Sequence, residues 1–167
     1  MLTKDLIKNH PEHYALYSEK SYTFNNIEQP NRNKLLWRDK TVDGVKTGFT
    51  NAAGYCLVSS AVRDGMRLIS VVMGTSSDQA RMRESQKLLS YGFRYYETQS
   101  LYAADVALKE QEVHYGEKES LSLGASEEVV VTFPRGYYKD IEVEFELPKL
   151  LEAPLVIGQE VGGIKLR

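Results

Sequence analysis

The chain has 167 residues, of which 42% are hydrophobic, so it can bury a core as one large domain or two small ones. Its 21 basic and 23 acidic side chains leave a net charge of −2, which provides no positive field for holding nucleic acid or anionic lipid. A single cysteine excludes an internal disulfide and a cysteine-based metal site. No export signal, long apolar segment or cofactor motif is recognisable in the chain.

Helical and extended segments alternate over the first part of the sequence. Residues 1–9 place their apolar side chains on one helical face, and Pro11 is expected to stop this helix. Residues 21–25 alternate in hydrophobicity, which predicts a strand. Residues 25–33 are polar and contain Pro30, which predicts a loop.

Three strands are predicted in succession from residue 42 onward, at 42–50, 55–62 and 66–73. Asp64 and Gly65 separate the last two. An Asp-Gly pair between two β-branched apolar runs is a strong hairpin signal, so the last two strands are expected to pair antiparallel.

A long helix is predicted over residues 76–97, where the apolar residues take a helical spacing. Thr75 and Asp78 have the spacing of a helix cap. The core-facing side of this helix is predicted to consist of Met82, Leu88, Leu89, Phe93 and Tyr96.

Beyond residue 98 the sequence predicts short strands separated by glycine turns, which is typical of a small β domain. Ile141, Val143 and Phe145 alternate with glutamates, as a half-exposed antiparallel strand requires. The composition therefore predicts two domains, residues 1–98 and residues 103–167.

Two histidines stand three residues apart in His10-Pro11-Glu12-His13. No third ligand with suitable spacing is evident, and Pro11 at the start of a helical turn explains the segment without a ligand. No metal site is predicted.

A Lys-Thr-Gly tripeptide occupies residues 46–48, at the end of the first strand of the predicted sheet, and Phe49 and Thr50 follow it. The tripeptide alone is weak evidence, but a small-residue stretch, a hairpin and a long helix come next. In this setting the chain closely resembles the low-molecular-mass penicillin-binding D-alanyl-D-alanine carboxypeptidases. The resemblance extends from about Leu6 to Arg167 and includes residues 31–33, 35–37, 42–50, 53–55, 66–69, 81–89 and 133–136.

The resemblance implies an α+β fold for residues 1–98. These residues would form part of a transpeptidase-like catalytic domain related to the β-lactamases, built of antiparallel strands and helices. A small all-β domain would follow at residues 103–167.

The family pattern also assigns roles within the Lys-Thr-Gly strand. Lys46 would act in catalysis, because its ammonium group assists nearby proton transfers. The Thr47 hydroxyl would bind the terminal carboxylate of the substrate, and Gly48 would let a peptide backbone lie against the strand. The backbone N–H of Phe49 would stabilise an oxyanion.

Two arginines match cationic positions of the same family. The guanidinium of Arg81 would reach the substrate carboxylate, for which its bidentate geometry is suited. Arg32 would face the cleft from a loop.

The chain lacks the other catalytic motifs of this superfamily. No serine is followed by a lysine three residues later, as S-x-x-K requires, and none by an asparagine two residues later. In the family these motifs lie upstream of the matching segment. This chain alone is therefore expected to be inactive, as a piece of a larger cell-wall enzyme.

The family pattern implies partners and a compartment for the full-length protein. The partners would be a peptidoglycan pentapeptide stem or a β-lactam, and the compartment would be the periplasm, in association with the inner membrane. In the family sheet the strand matching residues 67–73 is flanked on both sides. In this chain it is expected to have an open edge, which predicts a homo-oligomer through that edge unless the helix at residues 1–9 folds over it.

Two other functions stay open at this stage. The chain could be a non-catalytic cell-wall binding or assembly module that uses its β domain. It could also be a relative of the serine β-lactamases, although the appended β domain argues against that class.

Overall fold

The apolar runs in the middle of the chain form an antiparallel three-stranded sheet in the computed structural model, which describes all 167 residues. Its strands are β3 (Val42–Thr50), β4 (Gly54–Arg63) and β5 (Met66–Thr75), in the order β3-β4-β5. The predicted Asp-Gly hairpin is confirmed, because Asp64 and Gly65 have φ values of 47° and 77° and join β4 to β5.

The core of this part of the chain lies between the sheet and the long helix α4 (Asp78–Tyr95). Leu57 and Ala61 on β4 are 1% and 0% exposed and meet Leu89 and Phe93 of α4. Short helix α3 (Leu35–Arg38) closes the cluster with two further leucines. Burial of these side chains fixes the sheet against α4.

The N-terminal segment contains the predicted helix, α1 (Leu2–Asn9), none of whose residues is buried. Pro11 begins a second helix, α2 (Pro11–Ala15), and a 3₁₀ turn, Leu16–Ser18, follows. No helix in the chain combines the length and the hydropathy that crossing a bilayer requires.

The loop predicted at residues 25–33 is wrong in its first half. Strand β1 (Ser21–Phe24) pairs antiparallel with β2 (Ile27–Pro30), which the presence of Pro30 argued against. Asn25 and Asn26 form the turn with φ values of 49° and 61°, and asparagine tolerates this left-handed conformation. Pro30 ends its strand, so its missing N–H costs little.

The long helix differs from its prediction at both ends and on one face. The Ser77 hydroxyl, not Thr75, accepts a hydrogen bond from the Ala80 N–H at 3.0 Å. At its other end the helix stops at Tyr95, and Tyr96 already belongs to a strand. Leu88 was expected in the core but is 50% exposed, whereas the adjacent Leu89 is 1% exposed.

The chain divides into two compact units, Met1–Tyr95 and Tyr96–Arg167. The division falls before the expected gap between residues 98 and 103, because β6 (Tyr96–Tyr102) pairs along its length with β9 (Val129–Pro134) of the second unit.

The second unit consists mainly of short strands. After β6, its strands are β7 (Ala107–His114), β8 (Ser120–Gly124), β9 (Val129–Pro134), β10 (Val143–Glu146), β11 (Leu151–Glu152) and β12 (Gly163–Leu166). They form three small sheets: β6 pairs with β9, β10 pairs with β12, and β11, β7 and β8 lie in that order in the third sheet. A 3₁₀ turn, Tyr138–Asp140, precedes β10, where the predicted alternation of apolar and acidic residues is observed.

Candidate functional site

The Lys-Thr-Gly segment lies on a strand that has an open edge. Strand β3 pairs with β4 on one side only, and its first residues are buried whereas Lys46 and Gly48 to Thr50 are exposed. The Lys46 ammonium group donates to the Thr47 carbonyl at 2.6 Å. The strand thus leaves the core and ends at the surface with no strand paired along its outer side.

A polar network fixes the buried beginning of β3. The Tyr14 hydroxyl donates to the Asp43 carboxylate at 2.6 Å, and Arg67 from β5 donates to Asp43 at 3.0 Å and to the Ser60 hydroxyl at 2.6 Å. Burial and the Asp43 carboxylate raise the pKa of Tyr14 to about 12, so the phenol stays protonated and keeps donating. The network thereby joins α2, β4 and β5 to the beginning of β3.

The glycine of the tripeptide leaves space that the chain itself does not fill. A Cβ atom placed on Gly48 would meet only the Cys56 Cβ, at an ordinary distance of 3.8 Å. Packing within this chain therefore does not demand glycine here. The space is available to a ligand backbone that approaches the strand edge.

Arg81 lies in the first turn of α4 and is buried, with 6% of its surface exposed. Its Nη1 donates to the carbonyls of Gly48 at 3.0 Å and Cys56 at 3.4 Å, and the guanidinium lies 5.4 Å from the centre of the Tyr55 ring. Arg81 thus ties α4 to both strands beside the tripeptide. Its remaining N–H groups can still serve a ligand.

Two aromatic rings stand beside the end of the strand. Phe49 and Tyr55 are register partners on β3 and β4, and their ring centres are 4.3 Å apart. Sequence reasoning assigned a role only to the backbone of Phe49 and none to Tyr55. Only the register between β3 and β4 shows the pair, because cross-strand partners lie side by side, and that register was not predicted.

Arg32 is held on a loop whose shape depends on two asparagines. Asn33 is 1% exposed and donates to the Gly44 carbonyl at 2.9 Å, while Asn31 donates to the Glu19 carbonyl at 2.9 Å. The exposed Arg32 between them projects from this fixed backbone. Lys34 continues the loop and forms an ion pair with Asp78 at the beginning of α4, and this partner lowers the pKa of the Asp78 carboxyl.

These residues surround one open cleft of about 490 Å³, which is within the range of about 300–1,000 Å³ that small-molecule sites occupy. Two arginines and one lysine make it cationic, so it suits an anionic ligand. All six residues predicted from the sequence line it, together with Tyr55. The full set is Arg32, Lys46, Thr47, Gly48, Phe49, Tyr55 and Arg81.

Two family models together match most of the chain. Residues 1–77 match D-alanyl-D-alanine carboxypeptidase, and residues 96–167 match the C-terminal domain of penicillin-binding protein 5. The D-alanyl-D-alanine carboxypeptidase DacC of Escherichia coli (strain K12) is 49% identical over 166 residues, which are 98% of this chain and 42% of that protein. The chain belongs to the low-molecular-mass penicillin-binding D-alanyl-D-alanine carboxypeptidase family.

Solved structures agree with this membership. Penicillin-binding protein 5 from Haemophilus influenzae superposes with a TM-score of 0.89 at 46% identity, over 99% of this chain and 49% of that one. Penicillin-binding protein D2 from Listeria monocytogenes, in its cefotaxime-bound form, matches 55% of this chain and 38% of its own, with a TM-score of 0.52 and 36% identity. The fold predicted from the sequence, an α+β part followed by a small all-β domain, is confirmed.

The chain spans less than half the length of the curated relatives cited here. It covers 42% of the E. coli DacC protein and 41% of the D-alanyl-D-alanine carboxypeptidase DacA of Haemophilus influenzae.

Proposed function

We propose that this chain is the substrate-binding part of a serine-type D-Ala-D-Ala carboxypeptidase that trims peptidoglycan pentapeptides and is acylated by penicillin. The observation that carries the proposal is the cationic cleft at the open edge of β3, where Lys46, Thr47 and Gly48 meet Arg81. The full-length protein would work in the periplasm, in association with the inner membrane.

The cleft can hold an extended peptide as an added strand. The open side of β3 offers backbone groups for pairing, and the space in front of Gly48 lets the peptide backbone approach. The terminal carboxylate would then lie near the Thr47 hydroxyl and the Arg81 guanidinium. Such a carboxylate is common to peptides ending in D-Ala-D-Ala and to penicillins.

Acyl transfer would follow in the full-length protein. Its serine oxygen attacks the carbonyl of the penultimate D-alanine, the amide bond breaks, and the terminal D-alanine leaves with a proton on its nitrogen. The backbone N–H of Phe49 would stabilise the oxyanion, and the Lys46 ammonium would lower the cost of the proton transfers. Water then hydrolyses the ester.

The 167-residue chain alone should form no covalent adduct with penicillin, because it contains no serine of an S-x-x-K motif. The test is incubation with a fluorescent penicillin, followed by denaturing electrophoresis. A full-length family member serves as the positive control. A labelled band from the 19.0 kDa chain would show that another residue is acylated and would contradict the proposal.

Arg81→Ala in a full-length protein carrying this segment should raise the activation free energy for turnover of D-Ala-D-Ala peptides by about 1.5–3 kcal/mol. This is the contribution of a charge-assisted hydrogen bond. The control substrate is the same peptide with a C-terminal amide. If Arg81 binds the carboxylate, the substitution should reduce the preference for the free acid. An equal loss for both peptides would mean that Arg81 only holds the Gly48 carbonyl.

A second candidate, an assembly module, is favoured by the free edge of β5. This strand pairs only with β4, and Ile69, Val71 and Met73 are 38%, 57% and 72% exposed on one face of it. Such an edge is a template for another strand, so we propose that the isolated chain forms a homodimer or higher assembly there.

Light scattering on a size-exclusion column tests this association. A mass above 19.0 kDa that falls when Val71 is replaced by lysine supports pairing through β5. Val130→Lys is the matched control, because Val130 is a similarly exposed strand valine in the other unit. A monomer at every concentration would refute the assembly.

A further inference from the structure

Three potential metal ligands converge where helix α1 gives way to helix α2. His10 lies between the two helices, and Glu12 and His13 lie in the first turn of α2. The ligand atoms of all three side chains lie within 4.8 Å of one another. Sequence spacing suggested two histidines without a third partner, whereas the structure adds the carboxylate of Glu12.

Glu12 and His13 are in contact with each other, and a small increase in their separation would let both bind one ion. The Glu12 Oε1 and the His13 Nδ1 are 2.8 Å apart. In a tetrahedral zinc site, with bonds of about 2.1 Å, neighbouring ligand atoms are about 3.4 Å apart. The rings of His10 and His13 are 6.1 Å apart, so a rotation about the side-chain bonds of His10 closes the set.

The site is accessible and its side chains are free to adjust. All three residues are exposed, and the side chains of His13 and Glu12 are 67% and 66% exposed. For an ion to enter, the exposed contacts that these three side chains make with one another have to open.

The chemistry of the ligands selects the ion. Two imidazoles and one carboxylate suit zinc and the neighbouring divalent transition metals, and three protein ligands leave a coordination position for water. Magnesium and calcium prefer oxygen ligands and would not be held by two histidines.

We propose that His10, Glu12 and His13 form a surface site for one divalent transition-metal ion, and that Zn²⁺ is the preferred ion. The site lies on the helical segment that precedes β1 and shares no residue with the cleft around Lys46. It is independent of the carboxypeptidase activity and can be tested on the chain itself.

The experiment is a calorimetric titration of the tag-free chain with ZnCl₂, with MgCl₂ as the control ion. The chain offers a matched control variant, because it has three histidines and His114, the third, is exposed in the other unit. Cys56→Ser removes the only thiol, the other residue type that zinc favours. Circular dichroism of each variant checks that the fold is retained.

The expected result is one Zn²⁺ per chain and no saturable heat with Mg²⁺. His10→Ala and His13→Ala should each weaken zinc binding by about tenfold or more, because each removes one of three ligands, and Glu12→Gln should weaken it less. His114→Ala and Cys56→Ser should bind as the unaltered chain does. The proposal is overturned if zinc shows no saturable binding or if His114→Ala loses affinity. It is also overturned if the His10 and His13 variants bind zinc as tightly as the unaltered chain does.

Discussion

Lys46→Ala in a full-length protein carrying this segment should reduce the rate of acylation by penicillin by about 10²–10³-fold, the usual effect of removing one group that stabilises developing charge. Lys46 lines the cleft beside Thr47 and Gly48, and its ammonium group is held within the strand by the Thr47 carbonyl. The measurement is the second-order rate of adduct formation with a fluorescent penicillin. This loss should exceed that of Arg81→Ala.

Lys40→Ala is the control for this experiment. Lys40 is exposed and lies just before β3, outside the cleft, so its loss removes the same charge without touching the cleft. Acylation at the normal rate in Lys46→Ala would show that Lys46 takes no part in the reaction. An equal reduction in both variants would indicate a general effect of net charge.

The hairpins show which parts of the fold the sequence could predict. The β4–β5 hairpin was predictable because Asp64-Gly65 is a preferred turn pair and the flanking runs are β-branched. The β1–β2 hairpin was missed although Asn25-Asn26 adopts the same left-handed conformation. The alternation at residues 21–25 predicted the first strand, but the second strand, Ile27–Pro30, is mostly polar and ends in proline, so it gave no such pattern.

The cleft was predictable in its members but not in its internal contacts. The family motif identified Lys46 to Gly48 and placed Arg81 with them. It did not predict that Arg81 would be 6% exposed and bound to the carbonyls of Gly48 and Cys56. An arginine on a helix is read from sequence as a surface residue, because burial of a guanidinium depends on acceptors that come from distant strands.

The same limitation explains the error on the face of α4. Apolarity alone placed Leu88 in the core, but the buried face contains Arg81 and Ser85, two polar residues, together with Leu89 and Phe93. Positions 81, 85 and 89 are each four residues apart and thus lie on one stripe of the helix. Because two positions of that stripe are polar, a search for apolar residues alone did not identify the buried face of α4.

Leu89→Ala should lower the free energy of unfolding of the chain by about 2–5 kcal/mol, whereas Leu88→Ala should change it by no more than about 0.5 kcal/mol. The two leucines are adjacent on α4, so helix propensity and the size of the deletion are the same for both. They differ in exposure, because Leu89 is 1% exposed within the core cluster and Leu88 is 50% exposed. Removing the Leu89 side chain leaves a cavity against Leu57 and Phe93, and removing the Leu88 side chain leaves none. Urea denaturation followed by circular dichroism measures both values, and similar losses for the two variants would contradict the orientation of α4 against the sheet.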